Sequence, residues 1–255
     1  EALQQGKHVF VEKPLALGAD KARALIELSQ RRQRTLMVGH TFLYHGAVRK
    51  IRELMDQGEL GEPLYLDSTR ANLGILQDDI NVIWDLAPHD LSIMDFLLRR
   101  PPLSVSATGA SHTGRGLEDV AFITLHFPDH VIAHVNVNWL SPVKIRRLLV
   151  GGTDKMVVFD DNEPSEKVKV YDRGVACSDS PDKRHNELIQ YRAGDIFVPQ
   201  LDLTEALLNE ARDFVASIRE GRQPLANAES GLRIVKLLEL ACLSLSRDGA
   251  PVEVN

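Results

Sequence analysis

Apolar positions follow two different rhythms along this chain. Near the start they form short unbroken runs. Residues 8–12, HVFVE, are bounded by Gly6 and Pro14 and predict a buried parallel strand. Residues 19–34 predict a helix, because Ala22, Leu25, Ile26 and Ser29 recur on one face while the remaining positions are polar. Residues 35–39, TLMVG, predict a second buried strand. Strand, helix and strand within about 30 residues make a βαβ unit, which builds parallel sheets. One such unit cannot cover itself and needs neighbouring strands or another domain. Residues 1–6, EALQQG, read as the tail of a helix closed by glycine, so the chain is expected to open inside a domain.

After a further helix at residues 45–57 the rhythm changes. Strands are expected at 63–72 and 105–110, separated by a helix at 85–99. Residues 119–127 then alternate, with Ala121, Ile123, Leu125 and Phe127 on one face. Residues 131–139 do the same with Val131, Ala133, Val135, Val137 and Trp139, and Pro128-Asp129-His130 supplies the turn between the two. Residues 144–150 and 156–160 pair across a Gly-rich turn, and 166–171 adds a strand. Helices at 203–220 and 228–247 close the chain around a turn at 221–224. This succession of hairpins predicts an antiparallel sheet packed on one face. The other face mixes Ile132, His134, Asn136 and Asn138 with Val120, Phe122 and Thr124, a composition that suits pairing with a second copy as a homodimer or homotetramer.

Composition narrows the function. With 255 residues, 44% hydrophobic and 26% charged, the chain has the make-up of a globular protein with a sizeable core. A net charge of -6 argues against a nucleic-acid partner, and no run of roughly 18 apolar residues is present to span a membrane. Cys177 and Cys242 carry no pairing or metal pattern and read as free thiols of a reducing, cytoplasmic compartment.

Two motifs can carry chemistry. Glu12-Lys13-Pro14 sits at the carboxyl end of a parallel strand, the edge where open α/β sheets bind ligands. A lysine there can stabilise a developing alkoxide; equally, it is an exposed strand-end lysine before a loop proline. In Trp84-Asp85-Leu86-Ala87-Pro88-His89-Asp90, helical geometry puts Asp85 and His89 on one face, with Pro88 in the first turn. A carboxylate beside an imidazole raises its pKa and suits a general base; the plain alternative is a helix cap and a partly buried histidine. His126, His130 and His134 fall across a hairpin turn, which does not gather them as metal ligands. Lys144, Arg146 and Arg147 read either as a solvated strand face or as contacts for an anionic substrate.

Together these motifs resemble the glucose–fructose oxidoreductase/inositol dehydrogenase (Gfo/Idh/MocA) family. The order is strand, EKP, helix, a strand ending VGH, helix, D-x-x-x-H, then hairpins, and the likeness extends over the whole chain. The resemblance implies an α/β fold: the C-terminal remnant of a Rossmann domain at residues 1–41, lacking its Gly-rich half, and a substrate-binding and oligomerisation domain with an open, mostly antiparallel sheet at 42–255. It implies an NAD(P)-dependent oxidoreductase acting on a sugar, polyol or nucleotide sugar. Lys13, Asp85 and His89 match the family's catalytic positions, with His89 as acid/base; Glu12, Lys13, Pro14 and His40 match positions around the NAD or NADP cofactor. No metal is implied. Two departures stand out. The Gly-x-Gly-x-x-Gly phosphate cradle is absent from the sequence, and Gly39–His45 replaces the arginine pair of many members. The alternative is a cofactor-free, dimerising or sugar-binding module. Loss of half a parallel sheet would also leave a sticky strand edge at residues 8–12 or 35–39.

Overall fold

The structure is a computed structural model that describes residues 1–74, 76–172, 174–176, 190–192 and 194–254. Cys177 lies outside the described residues, and Cys242 is a free thiol. The opening residues make a helical turn that ends at Gly6, whose φ is 74°. Strand β1 (Val9–Val11), helix α1 (Ala19–Arg32) and strand β2 (Leu36–Val38) then form the expected parallel unit, with Val9 opposite Leu36 and Val11 opposite Val38. Helix α1 stops two residues early because Gln33 takes a left-handed conformation and returns its N–H to the last turn. The outer edge of β2 is covered: the Val38 N–H donates to the Ala226 carbonyl at 3.0 Å, and Met37 bridges to Asn227. The other edge of β1 has no strand partner among the described residues, so of the two candidate edges only residues 8–12 remain open.

A short 3-10 turn (Thr41–Tyr44) leads into α2 (Gly46–Asp56), β3 (Pro63–Leu73) and α3 (Val82–Leu98). The hairpins follow as β4 (Ser104–Ala110), β5 (Val120–His126), β6 (Ile132–Asn138), β7 (Leu140–Gly152), β8 (Met156–Asp160) and β9 (Val168–Tyr171). After the short pieces β10 (Gly174–Ala176), β11 (Gln190–Arg192) and β12 (Ile196–Phe197) come α4 (Ala206–Glu220), α5 (Ala228–Leu245) and β13 (Val252–Glu253). Among the described residues the main sheet runs β12-β9-β8-β7-β3-β6-β5-β4-β13; β3 and β6 are parallel and every other pair is antiparallel. This is the α/β architecture expected, with an open, mostly antiparallel sheet.

Helices α3 and α4 start away from their expected positions, for local reasons. Helix α3 begins at Val82 because the Asn81 side chain caps it, accepting the Trp84 N–H at 3.2 Å. Pro88 is therefore inside the helix and not in its first turn. Helix α4 begins only at Ala206, because Asp202 Oδ1 accepts the Thr204 N–H at 2.9 Å and holds the chain in a turn.

The core lies between one face of the sheet and helices α2, α3 and α5, and includes Leu66, Leu91, Ile123, Val135, Val150 and Leu238. A smaller cluster under α1 joins Ile26, Leu36 and Val38 to Ala228 and Val235 of α5. Helix α5 thus braces both units. It comes so close to β2 that a Cβ at Gly231 would stand 2.7 Å from Val38 Cγ2 and 3.2 Å from Leu15 Cβ. Gly231→Val is expected to destabilise the protein by about 1–3 kcal/mol through overpacking, read from denaturant midpoints. An unchanged midpoint would show that this approach relaxes freely.

Candidate active site

Strands β1 and β2 end at the same edge, so the residues following them meet. Glu12, Lys13 and Pro14 continue β1, and Gly39 and His40 continue β2. The Gly39 N–H donates to the Val11 carbonyl at 2.8 Å. A Cβ on Gly39 would lie 3.1 Å from Glu12 Oε2, so the bare backbone there makes room for that carboxylate. The Lys13–Pro14 peptide is cis.

Lys13 reaches out of the βαβ unit to α3. Its Nζ donates to the Asp85 carbonyl at 2.7 Å and to Asp85 Oδ1 at 3.3 Å. The second carboxylate oxygen, Oδ2, accepts the Trp139 indole N–H at 3.0 Å from just beyond β6. Lys13 and Asp85 side chains stay 20% and 25% exposed, so a ligand can touch both.

His89 lies one turn along α3, but its setting differs from the expected carboxylate–imidazole pair. The Asp85 carboxylate is turned to Lys13 and Trp139. The edge-on ring of Phe42 faces His89 at 5.4 Å, and His89 Nδ1 is buried without a hydrogen-bond partner. Burial first, and then the positive charges of Arg70 and Lys13, hold its pKa well below 6.5. The imidazole is therefore kept neutral, where a neighbouring carboxylate would have raised its pKa. His40 lies deeper, 1% exposed, with neither ring nitrogen bonded. Burial and the Lys13 charge lower its pKa to about 4.

Several groups around these residues were not singled out in the sequence. Arg70 stacks over Phe42 with its guanidinium carbon 4.6 Å from the ring centre, and it pairs with Asp90 at 2.7 and 3.2 Å. Ser68 also donates to Asp90, at 2.6 Å. One signal was available: Ser68 and Arg70 occupy core-facing positions of a strand, where apolar residues belong. Glu210 of α4 is fully buried, accepts the Thr41 hydroxyl at 2.7 Å and has its pKa raised to about 7, by burial first and then by Glu12. No sequence pattern announces it. His134, by contrast, stacks on Phe122 and hydrogen-bonds Asp67 on the far face of the sheet. Among the described residues no group of three His, Cys, Asp or Glu could hold a metal ion.

Two clefts lie elsewhere. One of about 570 Å³ is lined by His8, Arg34 and Gln223, at the opposite ends of β1 and β2. Another, of about 430 Å³, runs along Asp95, Arg100 and Arg233. Neither is lined by His40 or His89, the imidazoles whose pKa values are lowered, so chemistry and not volume marks the site.

Residues 48–158 match the model of the GFO/IDH/MocA C-terminal domain, and residues 1–40 match the oxidoreductase family with the NAD-binding Rossmann fold. The chain belongs to the GFO/IDH/MocA family of oxidoreductases. UDP-N-acetylglucosamine 3-dehydrogenase of Acidithiobacillus ferrooxidans is 28% identical over 236 residues, which is 92% of this chain and 70% of that protein. Inositol 2-dehydrogenase of Rhizobium meliloti is 23% identical over 253 residues, covering 94% and 72%. A solved structure of the A. ferrooxidans enzyme superposes with a TM-score of 0.80 at 24% identity, over 97% of this chain and 74% of that one.

The two buried imidazoles have a consequence for stability. The unfolded chain takes up a proton on His40 below about pH 6.5 that the folded chain refuses until about pH 4. Stability carried by this group is complete above 6.5 and lost as pH falls through that window. Glu210 acts in the opposite direction, losing stability as pH rises from 4.5 towards 7. Comparing His40→Leu with wild type isolates the first effect. Between pH 7 and 4.5 the variant should lose less stability than wild type by up to about 3 kcal/mol, measured by urea denaturation at each pH. Parallel curves would contradict this account.

Proposed function

We propose that this protein is a cytoplasmic NAD(P)-dependent oxidoreductase that oxidises a hydroxyl carbon of a sugar, polyol or nucleotide sugar, or reduces the matching ketone. The observation that carries this reading is the meeting of Lys13, Asp85 and a neutral His89 at the carboxyl edge of β1 and β2. That edge is where open α/β sheets bind ligands, and the dehydrogenase names of the relatives support the same chemistry.

The residues present fit the nicotinamide end of the cofactor. His40 offers buried, unbonded ring nitrogens at the end of β2, and Gly39 keeps the backbone bare beside Glu12. Glu12, Lys13, Pro14 and His40 would hold that end. When bound, the nicotinamide supplies a carbon that takes or gives the hydride. His89, uncharged at neutral pH, takes the hydroxyl proton as the hydride leaves the substrate carbon. The Lys13 ammonium faces the developing alkoxide and stabilises it by charge. Asp85 acts by position: it fixes the Lys13 amino group, and its own second oxygen is fixed by Trp139. The open face of the main sheet, with Phe122, Ile132 and Tyr65 exposed, is assigned to pairing with a second copy.

Four measurements test this reading. NADH fluorescence titration should show saturable binding to the full gene product. Lys13→Met and His89→Ala should each lower kcat by about 100-fold or more with the circular dichroism spectrum intact; full turnover in both variants would overturn the assignment. Because the His89 pKa is depressed, its base form persists in acid. The acid limb of kcat/KM for oxidation should therefore lie below the usual imidazole value of about 6.5. The sheet-face assignment predicts that Phe122→Asp lowers the molar mass seen by light scattering; an unchanged mass would place the interface elsewhere.

A further inference from the structure

The substrate side of the site carries one weakly paired arginine. In the register of β3 and β7, Arg146 stands opposite Arg70, and Leu148 opposite Ser68. Neighbours in register share a face, so Arg146 lies on the helix-covered side of the sheet, one strand from Arg70. The apolar core along β7 runs through Val150 and Leu148, and Arg146 is the next position on that face.

The two arginines are neutralised very differently. Arg70 and Asp90 are 6% and 5% exposed and make a two-pronged ion pair. Arg146 is 36% exposed and has a single long contact, 3.5 Å from Asp161 Oδ2. That carboxylate is already shared with Lys167 at 3.3 Å and His45 at 3.6 Å. The Nε–H of Arg146 is buried and bonds nothing. Arg70 is thus fully paired, while Arg146 has only a long contact to a carboxylate that two other groups already share. The exposed part of the Arg146 side chain is what a ligand can reach, and an anion is the partner a weakly paired guanidinium lacks.

We propose that Arg146 anchors an oxyanion carried by the substrate, a carboxylate or a phosphate on the sugar, and so selects charged over neutral sugars at this site. This rests on the reading of the site as a sugar oxidoreductase centre. Arg147, the adjacent residue, points to the opposite face of the sheet, where it stands in register with Asp160. It serves as an internal control.

Calorimetric titration of the full gene product tests the proposal with three probes: glucuronate for a carboxylate, UDP-N-acetylglucosamine for a diphosphate, and myo-inositol for a neutral polyol. Wild type should bind at least one anionic probe more tightly than myo-inositol. Arg146→Met should weaken that probe by about 10- to 100-fold and leave myo-inositol unchanged, while Arg146→Lys should recover part of the loss and Arg147→Met should do nothing. The probe that responds identifies the source of the oxyanion. The proposal is overturned if Arg146→Met binds the anionic probes as wild type does, if Arg147→Met weakens them equally, or if wild type prefers the neutral polyol. Should Arg146→Met unfold, Arg146→Lys still decides, since a charge without the planar fork must reduce anion affinity relative to wild type. Binding is read without turnover, so failure of the hydride-transfer reading in the Lys13 and His89 variants is a separate outcome.

Discussion

One ammonium group ties this molecule together. Lys13 leaves the end of a three-residue parallel strand and lands on the backbone and side chain of Asp85, in the first turn of a helix from the other unit. Trp139, from a third element, completes the carboxylate. A contact of this kind adds little to stability where it is part-exposed. Its importance is geometric, because the strand edge, the helix and the sheet can present their groups to one substrate only if they keep this spacing. The buried face of α5, with Gly231 against Val38, keeps that spacing from behind.

The site balances its charges by position. The strongly buried groups at its floor are either uncharged, as His40 and His89 are, or locked to a counter-ion, as Arg70 is to Asp90. Each imidazole is denied its proton by lack of water and by nearby positive charge. An imidazole that is unprotonated at neutral pH without a carboxylate beside it is the result, and Asp85 holds Lys13 instead.

The sequence conveyed the architecture well, because strand alternation and helix period are local. Alternation in residues 119–127 and 131–139 appears as β5 and β6 with Ile123 opposite Val135. The Glu12-Lys13-Pro14 and Asp85…His89 motifs fall close together, as their family order implies. What could not be read was the orientation of side chains across long separations. Asp85 and His89 share a helix face, so proximity suggested a pair, but Lys13, 72 residues away, takes the carboxylate. Glu210 meets Thr41 over 169 residues, a contact no spacing rule contains. The cap at Asn81 and the turn at Asp202 were local and legible in principle, but Pro88 pointed to a later start for α3.

The far edge of β2 has an implication for how the chain is made. Val38 gives its N–H to Ala226, and the cluster beneath α1 is finished by Ala228 and Val235. On a ribosome, the segment bearing Lys13 and His40 emerges before α5 and waits while almost two hundred further residues are synthesised before that cover arrives. Contacts this far apart in sequence close slowly. The Lys13 edge is thus translated well before the segment that covers it and is among the last parts to be assembled, and during that interval its apolar strands depend on whatever else shields them.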